Sequence, residues 1–163
     1  MTRGTVVSLH LLREHGAQPQ SVSEAKATVG RGLDGDLHGK TRTPGSRRQV
    51  IITDRGALSA LGLRPGDLRE QITVDFSDLE GLPAGTLLKI GMVTCELTGP
   101  CEPCTHIGGL MGVTDPKAFQ DSLAGHRGQL ARIVAVDGDR MIRVGDPVIP
   151  AGVAEPSLHE QSG

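Results

Sequence analysis

The residues with the greatest chemical capacity sit in one short loop, Gly99-Pro-Cys-Glu-Pro-Cys-Thr-His-Ile-Gly108. Cys101 and Cys104, in Cys-x-x-Cys spacing, offer two thiolates to a metal or to a dithiol couple. A structural zinc site normally has a second such pair, and here only His106 and His126 stand ready to complete one. Haem attachment of the c type needs His directly after the second Cys, a place taken by Thr105, so it is excluded. A thioredoxin-like site would open a helix in a βαβ unit, whereas two prolines and Gly108-Gly109 describe an open loop. What survives is a loop cysteine able to become a thiolate. Cys95, in contrast, lies inside the alternating run Val93-Thr-Cys-Glu-Leu97 and reads as a small core residue.

A second segment is built for anions. From His38 through Lys40, Arg42, Arg47 and Arg48, no acid intervenes between Leu37 and Thr53. Arg forks match phosphate oxygens in bidentate geometry, so a phosphorylated small ligand suits this stretch, the alternative being a solvated loop. Just before it, Gly30-Arg-Gly-Leu-Asp-Gly-Asp-Leu-His-Gly39 presents Asp34, Asp36 and His38 on a glycine-rich turn. The order of its residues fits neither a Walker loop nor a dinucleotide fingerprint, which excludes nucleotide binding by either route.

The chain that must position these groups has 163 residues, a formal charge of -2, three Cys, two Phe and neither Trp nor Tyr. This length suits one domain. Near-neutral charge and the want of stacking aromatics argue against nucleic acid as a partner. No apolar run approaches the ~18 residues of a membrane span, and Met1-Thr2-Arg3-Gly4-Thr5 lacks the apolar core of a secretory signal, so a cytoplasmic protein with free thiols is expected.

Strands are expected at Gly4–Leu12, Gln49–Thr53, Gln71–Phe76, Leu87–Ile90 and Val93–Leu97, the last two as a hairpin. In Gln71-Ile-Thr-Val-Asp-Phe76 the polar residues are expected to point outward. A short helix follows Asp54, and the best-marked helix runs over Asp115–Ala124, with an N-cap Asp, Pro116 at its first position and Gly125 just past its end. From Gln129 the pattern predicts a hairpin turning at Asp137-Gly138 and a further strand after Gly145-Asp-Pro147. Residues 150–163 read as a loose tail. Many short strands with 23 Gly and 10 Pro favour a mainly β fold, a barrel with short helical insertions, over an alternating α/β sheet.

The order of the motifs carries more than any one of them. Gly35-Asp-Leu-His-Gly39, Arg69-Glu-Gln-Ile-Thr-Val74, Leu82–Gly91, Pro103-Cys104, Gly125-His-Arg-Gly128 and Val144-Gly-Asp-Pro-Val148 together resemble the MOSC domain. That module occurs at the C-terminus of molybdenum cofactor sulfurases and as free-standing bacterial proteins. The resemblance spans residues 5–149 and implies a β-barrel like the small barrel domain of pyruvate kinase. It also implies the molybdenum cofactor, with Cys104 as the hallmark thiol and molybdenum ligand. Asp36, His38, Lys40, Arg47, Arg48 and Arg127 are then the expected cofactor-binding residues. The implied activities are reduction of small N-hydroxylated compounds and, as an alternative, transfer of persulfide sulfur from Cys104 to the cofactor. A cofactor-storing module and a zinc-stabilised domain using Cys101, Cys104 and His106 are the non-enzymatic alternatives. There is no flavin or iron–sulfur motif, so reduction needs a separate electron-donor protein, and sulfur transfer needs a cysteine desulfurase. Two departures stand out: Glu70-Gln71 replaces the usual Glu-Asn, and Cys101 is additional to the hallmark.

Overall fold

The computed structural model describes residues 3–37, 39, 44–101 and 128–154. The expected helix at Asp115–Ala124 lies outside the described residues, as do Cys104, His38, Lys40 and Arg127.

Eleven strands are described: β1 (Gly4–Leu11), β2 (Gln20–Val22), β3 (Glu24–Thr28), β4 (Gly32–Leu33), β5 (Val50–Asp54), β6 (Ile72–Asp75), β7 (Thr86–Ile90), β8 (Val93–Pro100), β9 (Gln129–Val136), β10 (Met141–Arg143) and β11 (Pro147–Val153). Seven of them close on themselves in the order β11-β7-β8-β9-β5-β6-β1, and the ring is sealed where Gly4 and Thr5 of β1 pair with Val148 and Pro147 of β11. The expected β-barrel is therefore present. Closure leaves none of the seven with an open edge, which removes the hazard of unpaired strands.

Period-2 patterning explains most of the interior. Leu88 and Ile90 of β7, Val93, Cys95 and Leu97 of β8, and Ala131 and Ile133 of β9 alternate into the core. In β1 the inward residues Val6 and Leu9 are out of phase, and a register shift between Val6 and Ser8 restores both to the inside. The hairpin β7–β8 forms as the sequence predicts, with Leu88 opposite Cys95.

β5 and β6 are the parallel pair, Ile52 beside Ile72, and a parallel pair requires a crossover. Helix α1 (Arg55–Ala60) begins it, capped by Asp54, whose Oδ2 accepts from Ala57 N at 3.3 Å. Leu58 and Leu68 bury together with Leu61 and Leu63 as a small second core over this connection.

Four expectations change. The chain does turn at Asp137, with Arg140 N donating to Asp137 O at 2.9 Å, yet β10 pairs with β3 (Ile142 opposite Ala25) rather than with β9. Both edges of β9 are already taken, by β8 and β5. Strands β2 and β3 form in a stretch for which the sequence pattern predicts no element, and β4 lies within the segment read as a glycine-rich turn. β3, β4 and β10 form a separate sheet whose Ala25, Ala27, Leu33 and Ile142 join the barrel core. The polar residues of the β6 segment divide: Asp75 is exposed as expected, whereas Gln71 and Thr73 are buried, with the crossover helix packed against this parallel pair. At the C-terminus, β11 continues past Ile149, pairing Val153 with Thr86.

One mouth of the barrel gathers the ends of β5, β6, β8 and β11 with the starts of β1, β7 and β9. A 3-10 turn at Leu79–Gly81 plugs it, with Leu79 fully buried and Gln129 Nε2 donating to Leu79 O (3.1 Å) and Leu82 O (3.0 Å). Among the described residues no helix is long and apolar enough to cross a membrane.

Candidate functional site

The basic segment is fastened to the barrel by a glutamine that substitutes for backbone. Gln49 Oε1 accepts from Ile133 N at 2.8 Å and its Nε2 donates to Ser46 O at 2.8 Å. The next fastening is Arg47, whose guanidinium donates to Thr98 O (3.0 Å) while its own carbonyl accepts from Thr98 Oγ1 (2.5 Å). The glycine loop joins the same lobe through Gly45 N to Gly30 O (2.8 Å) and Gly30 N to Ile133 O (3.0 Å). Arg47 and Arg48 are exposed, and neither forms an ion pair among the described residues. Glu96, an acid on the same wall, is engaged by Arg132 through Nε (3.1 Å) and Nη2 (2.9 Å). Among the described residues Arg47 and Arg48 thus stand without an acidic partner on a groove of about 380 Å³ that they line with Thr98, Gly99, Pro100 and Leu130. Its size falls in the range of small-ligand clefts.

That groove runs along the end of β8, which leads directly into Cys101. A register shift between Leu97 and Gly99 bends this end out of the regular ladder. Cys101 is buried, and its N–H donates to Gly128 O at 2.8 Å, so the two described ends of the segment that carries Cys104 are tied together.

Beneath those ends lies a polar floor on the outer face of β5 and β6. Thr53 and Thr73 are register partners, both fully buried. Thr73 Oγ1 donates to Glu70 Oε2 at 2.8 Å, and Glu70 is 1% exposed. Thr53 Oγ1 is buried with no partner among the described residues, and it faces Gly128 so closely that a Cβ there would lie 2.7 Å away. Burying so many polar groups on one strand pair is costly unless they are satisfied or serve a site.

The expected site residues separate. Arg47 and Arg48 are brought to the strand that feeds the Cys101–Cys104 loop. Asp36 is not on their groove: it is buried, its Oδ1 accepts from Leu12 N at 2.8 Å, and both carboxylate oxygens stand 3.4 Å from Gln71 Nε2. Gln71 Oε1 in turn accepts from Ile51 N at 2.7 Å, so the residue standing where the family usually has Asn spends its amide on the scaffold. Asp36 also borders a second, smaller groove with Arg31, Asp34 and Gly35. Cys95 is the core residue expected of it, fully buried, its thiol pushed up to about 12 by burial and so held as an inert S–H. Among the described residues no three His, Cys, Asp or Glu side chains gather as a metal site.

Sequence reasoning missed Thr53, Glu70, Thr73 and Glu80. Thr73 was concealed by the alternation of Gln71–Phe76, which looks like an outward polar face, while Thr53 ends a β-branched run and Glu70 precedes its strand with no pattern to mark them. Glu80, half-buried on the plugging turn, is pushed up to about 6, mainly by burial and also by the nearby carboxylate of Asp54, against the lowering influence of the Gly128 backbone N–H. No local pattern announces it.

A closed seven-stranded barrel with a cationic groove along the strand that leads into Cys101 defines the class, a β-barrel domain. The sequence matches the MOSC domain family over residues 41–149, and the chain belongs to that family. The family is associated with binding of the molybdenum cofactor. No curated protein matches the chain. Among solved structures it is similar to the YuaD protein from Bacillus subtilis (19% identity, TM-score 0.75, covering 90% of this chain and 94% of that one). It is also similar to YiiM from Escherichia coli (16% identity, TM-score 0.66, 98% and 75% covered) and YiiM from Geobacillus stearothermophilus (14%, 0.68, 96% and 78%). These likenesses establish a shared fold.

Proposed function

We propose that this chain is a single-domain molybdenum cofactor protein that reduces small N-hydroxylated compounds, with Cys104 as the protein ligand to molybdenum. The observation that carries the reading is the pair Arg47 and Arg48, free of acidic partners among the described residues and fastened through Thr98 to the strand that leads into Cys101 and Cys104. A phosphate-bearing cofactor needs such cations at one end and a soft thiolate at the other. The donor set fits. In this reading Arg47 and Arg48 would hold the phosphate, and Lys40, His38 and Arg127, which lie outside the described residues, are the further candidates, whereas Asp36, buried against Leu12 N and Gln71, is scaffold. With neither Trp nor Tyr in the chain, guanidinium planes and main-chain groups replace an aromatic sandwich.

When bound, the cofactor supplies two-electron transfer to the substrate's N–O group. The chain's part is to anchor the phosphate, hold the thiolate and admit a small substrate. Reduction of an N-hydroxyl to N–H consumes two electrons and two protons and releases water, and the electrons come from a separate donor protein. Purification from a host that makes the cofactor, followed by molybdenum and pterin analysis, tests this. Stoichiometric metal, lost in Cys104→Ser, supports it. Persulfide on Cys104 without molybdenum would instead favour sulfur transfer from a partner desulfurase, with Cys101 available to attack the Cys104 sulfur, expel the outer sulfur as sulfide and leave a Cys101–Cys104 disulfide.

A further inference from the structure

The groove beside Arg48 has a neighbour on the other side of Arg47. A cleft of about 250 Å³ is lined there by Arg47, Glu96, Thr98 and Arg132, together with Ala84 and Gly85 of the turn ahead of β7. Three elements build it. Glu96 and Arg132 are register partners on β8 and β9, and their side chains are largely shielded from solvent, at 16% and 31% exposure. The turn is held against β8 by Gly85 N, which donates to Leu97 O at 2.7 Å. Arg47 closes the third side, clasped to Thr98 in both directions.

Donors outnumber acceptors in this cleft. A guanidinium carries five N–H groups. Arg132 commits Nε and Nη2 to a single oxygen, Glu96 Oε1, and Arg47 commits Nη2 to Thr98 O, and neither has another acceptor among the described residues. Glu96 Oε2 has no donor there either. Two cations against one carboxylate leave one net positive charge, which a monoanion neutralises and which a dianion would overfill beside Glu96.

We propose that this cleft binds a small carboxylic acid with an N–H or O–H donor next to its carboxylate, the chemistry of an amino or hydroxy acid. The ligand's carboxylate takes the uncommitted N–H groups of Arg47 and Arg132, whose planar forks match it, and its donor group goes to Glu96 Oε2. The Glu96–Arg132 pair fixes both side chains before the ligand arrives, which lowers the entropy cost of holding it. The cofactor reading uses none of Glu96, Arg132 and Gly85, and shares only Arg47 and Thr98 with this site. Molybdenum content of Cys104→Ser bears on that reading alone, so the two fail separately.

Titration of the full chain with acetate, glycine and inorganic phosphate at constant ionic strength, followed by NMR of backbone amides and arginine Nε–H groups, tests it. Acetate is expected to shift the Ala84 and Gly85 amides and the Arg132 Nε–H saturably. Glycine should bind about tenfold tighter, because Glu96 takes its ammonium group, and phosphate more weakly than glycine. Arg132→Gln should weaken acetate at least tenfold, whereas Glu96→Gln should remove most of the advantage of glycine and leave acetate bound. Wild-type protein alone can overturn the proposal: by showing no saturable shift at Gly85 with either acid, by binding phosphate more tightly than glycine, or by confining the shifts to Gly99 and Leu130, which line only the Arg48 groove. An acetate affinity unchanged in Arg132→Gln would overturn it as well.

Discussion

Replacing Gly128 by Ala isolates how closely the barrel grips the end of the cysteine-bearing segment. Gly128 has φ +103°, and a Cβ there would lie 2.5 Å from Ile52 O and 2.7 Å from Thr53 Oγ1. Two costs follow. An L-residue held in this region of backbone space costs about 2 kcal/mol. Forcing a methyl against backbone in a packed wall adds about 2 kcal/mol, because the carbonyl of Ile52 belongs to the β5 ladder and cannot rotate away. The expected loss is about 4 kcal/mol, a large share of a total stability of about 5–15 kcal/mol. Gly152 in β11 supplies the control: its φ is +104°, and a Cβ there meets nothing within 4 Å. Gly152→Ala should cost the backbone part alone, about 2 kcal/mol. Urea titrations with linear extrapolation give both values, and equal slopes certify that the comparison is one of stability. If the two variants lose the same amount within about 0.5 kcal/mol, the close approach of Gly128 to β5 contributes nothing and the reasoning fails.

Three other outcomes are expected. Cys95→Ser places a hydroxyl in the sealed core and should lower stability by about 1–3 kcal/mol by urea titration while leaving cofactor content unchanged, whereas Cys104→Ser should remove molybdenum with little loss of stability. Arg47→Ala with Arg48→Ala should reduce retained cofactor on gel filtration and flatten the dependence of retention on salt, since the charges that salt screens are gone. Glu80 titrates higher folded than unfolded, so its contribution to stability is present below its unfolded value and is lost as pH rises from about 4.5 to about 6. Solvent screening at this half-buried group holds that loss to about 1 kcal/mol, and urea midpoints of Glu80→Gln across this window should lack it.

Much of the fold was legible because it is written locally. Period-2 runs mark β1, β5, β7, β8 and β9, and Asp54 before Leu58 and Leu61 marks the entrance to α1. The anion character of residues 38–48 was equally plain, since an uninterrupted absence of acids is a property of composition. Cys95 could be assigned to the core from its place in an alternating strand, which burial then makes inert.

Tertiary structure decided the rest. The Asp137 turn is local, but β10 cannot join β9, whose two edges β8 and β5 occupy, so its partner is β3, more than a hundred residues away in the chain. Asp36, read as presented to ligand, turns inward to Gln71 and Leu12 N, because a buried loop must satisfy its own backbone donors. Thr73 carries the pattern of a solvated face, yet it is buried together with Thr53 and Glu70, because the crossover between β5 and β6 folds back on the pair, an event that strand pattern does not encode. Arg47 lies far from Thr98 in sequence, and only closure of the barrel sets its guanidinium on the strand that feeds the cysteines. Side-chain type and spacing thus determined which chemistry the chain can offer. Strand pairing, a property of no single segment, determined which of those groups stand together.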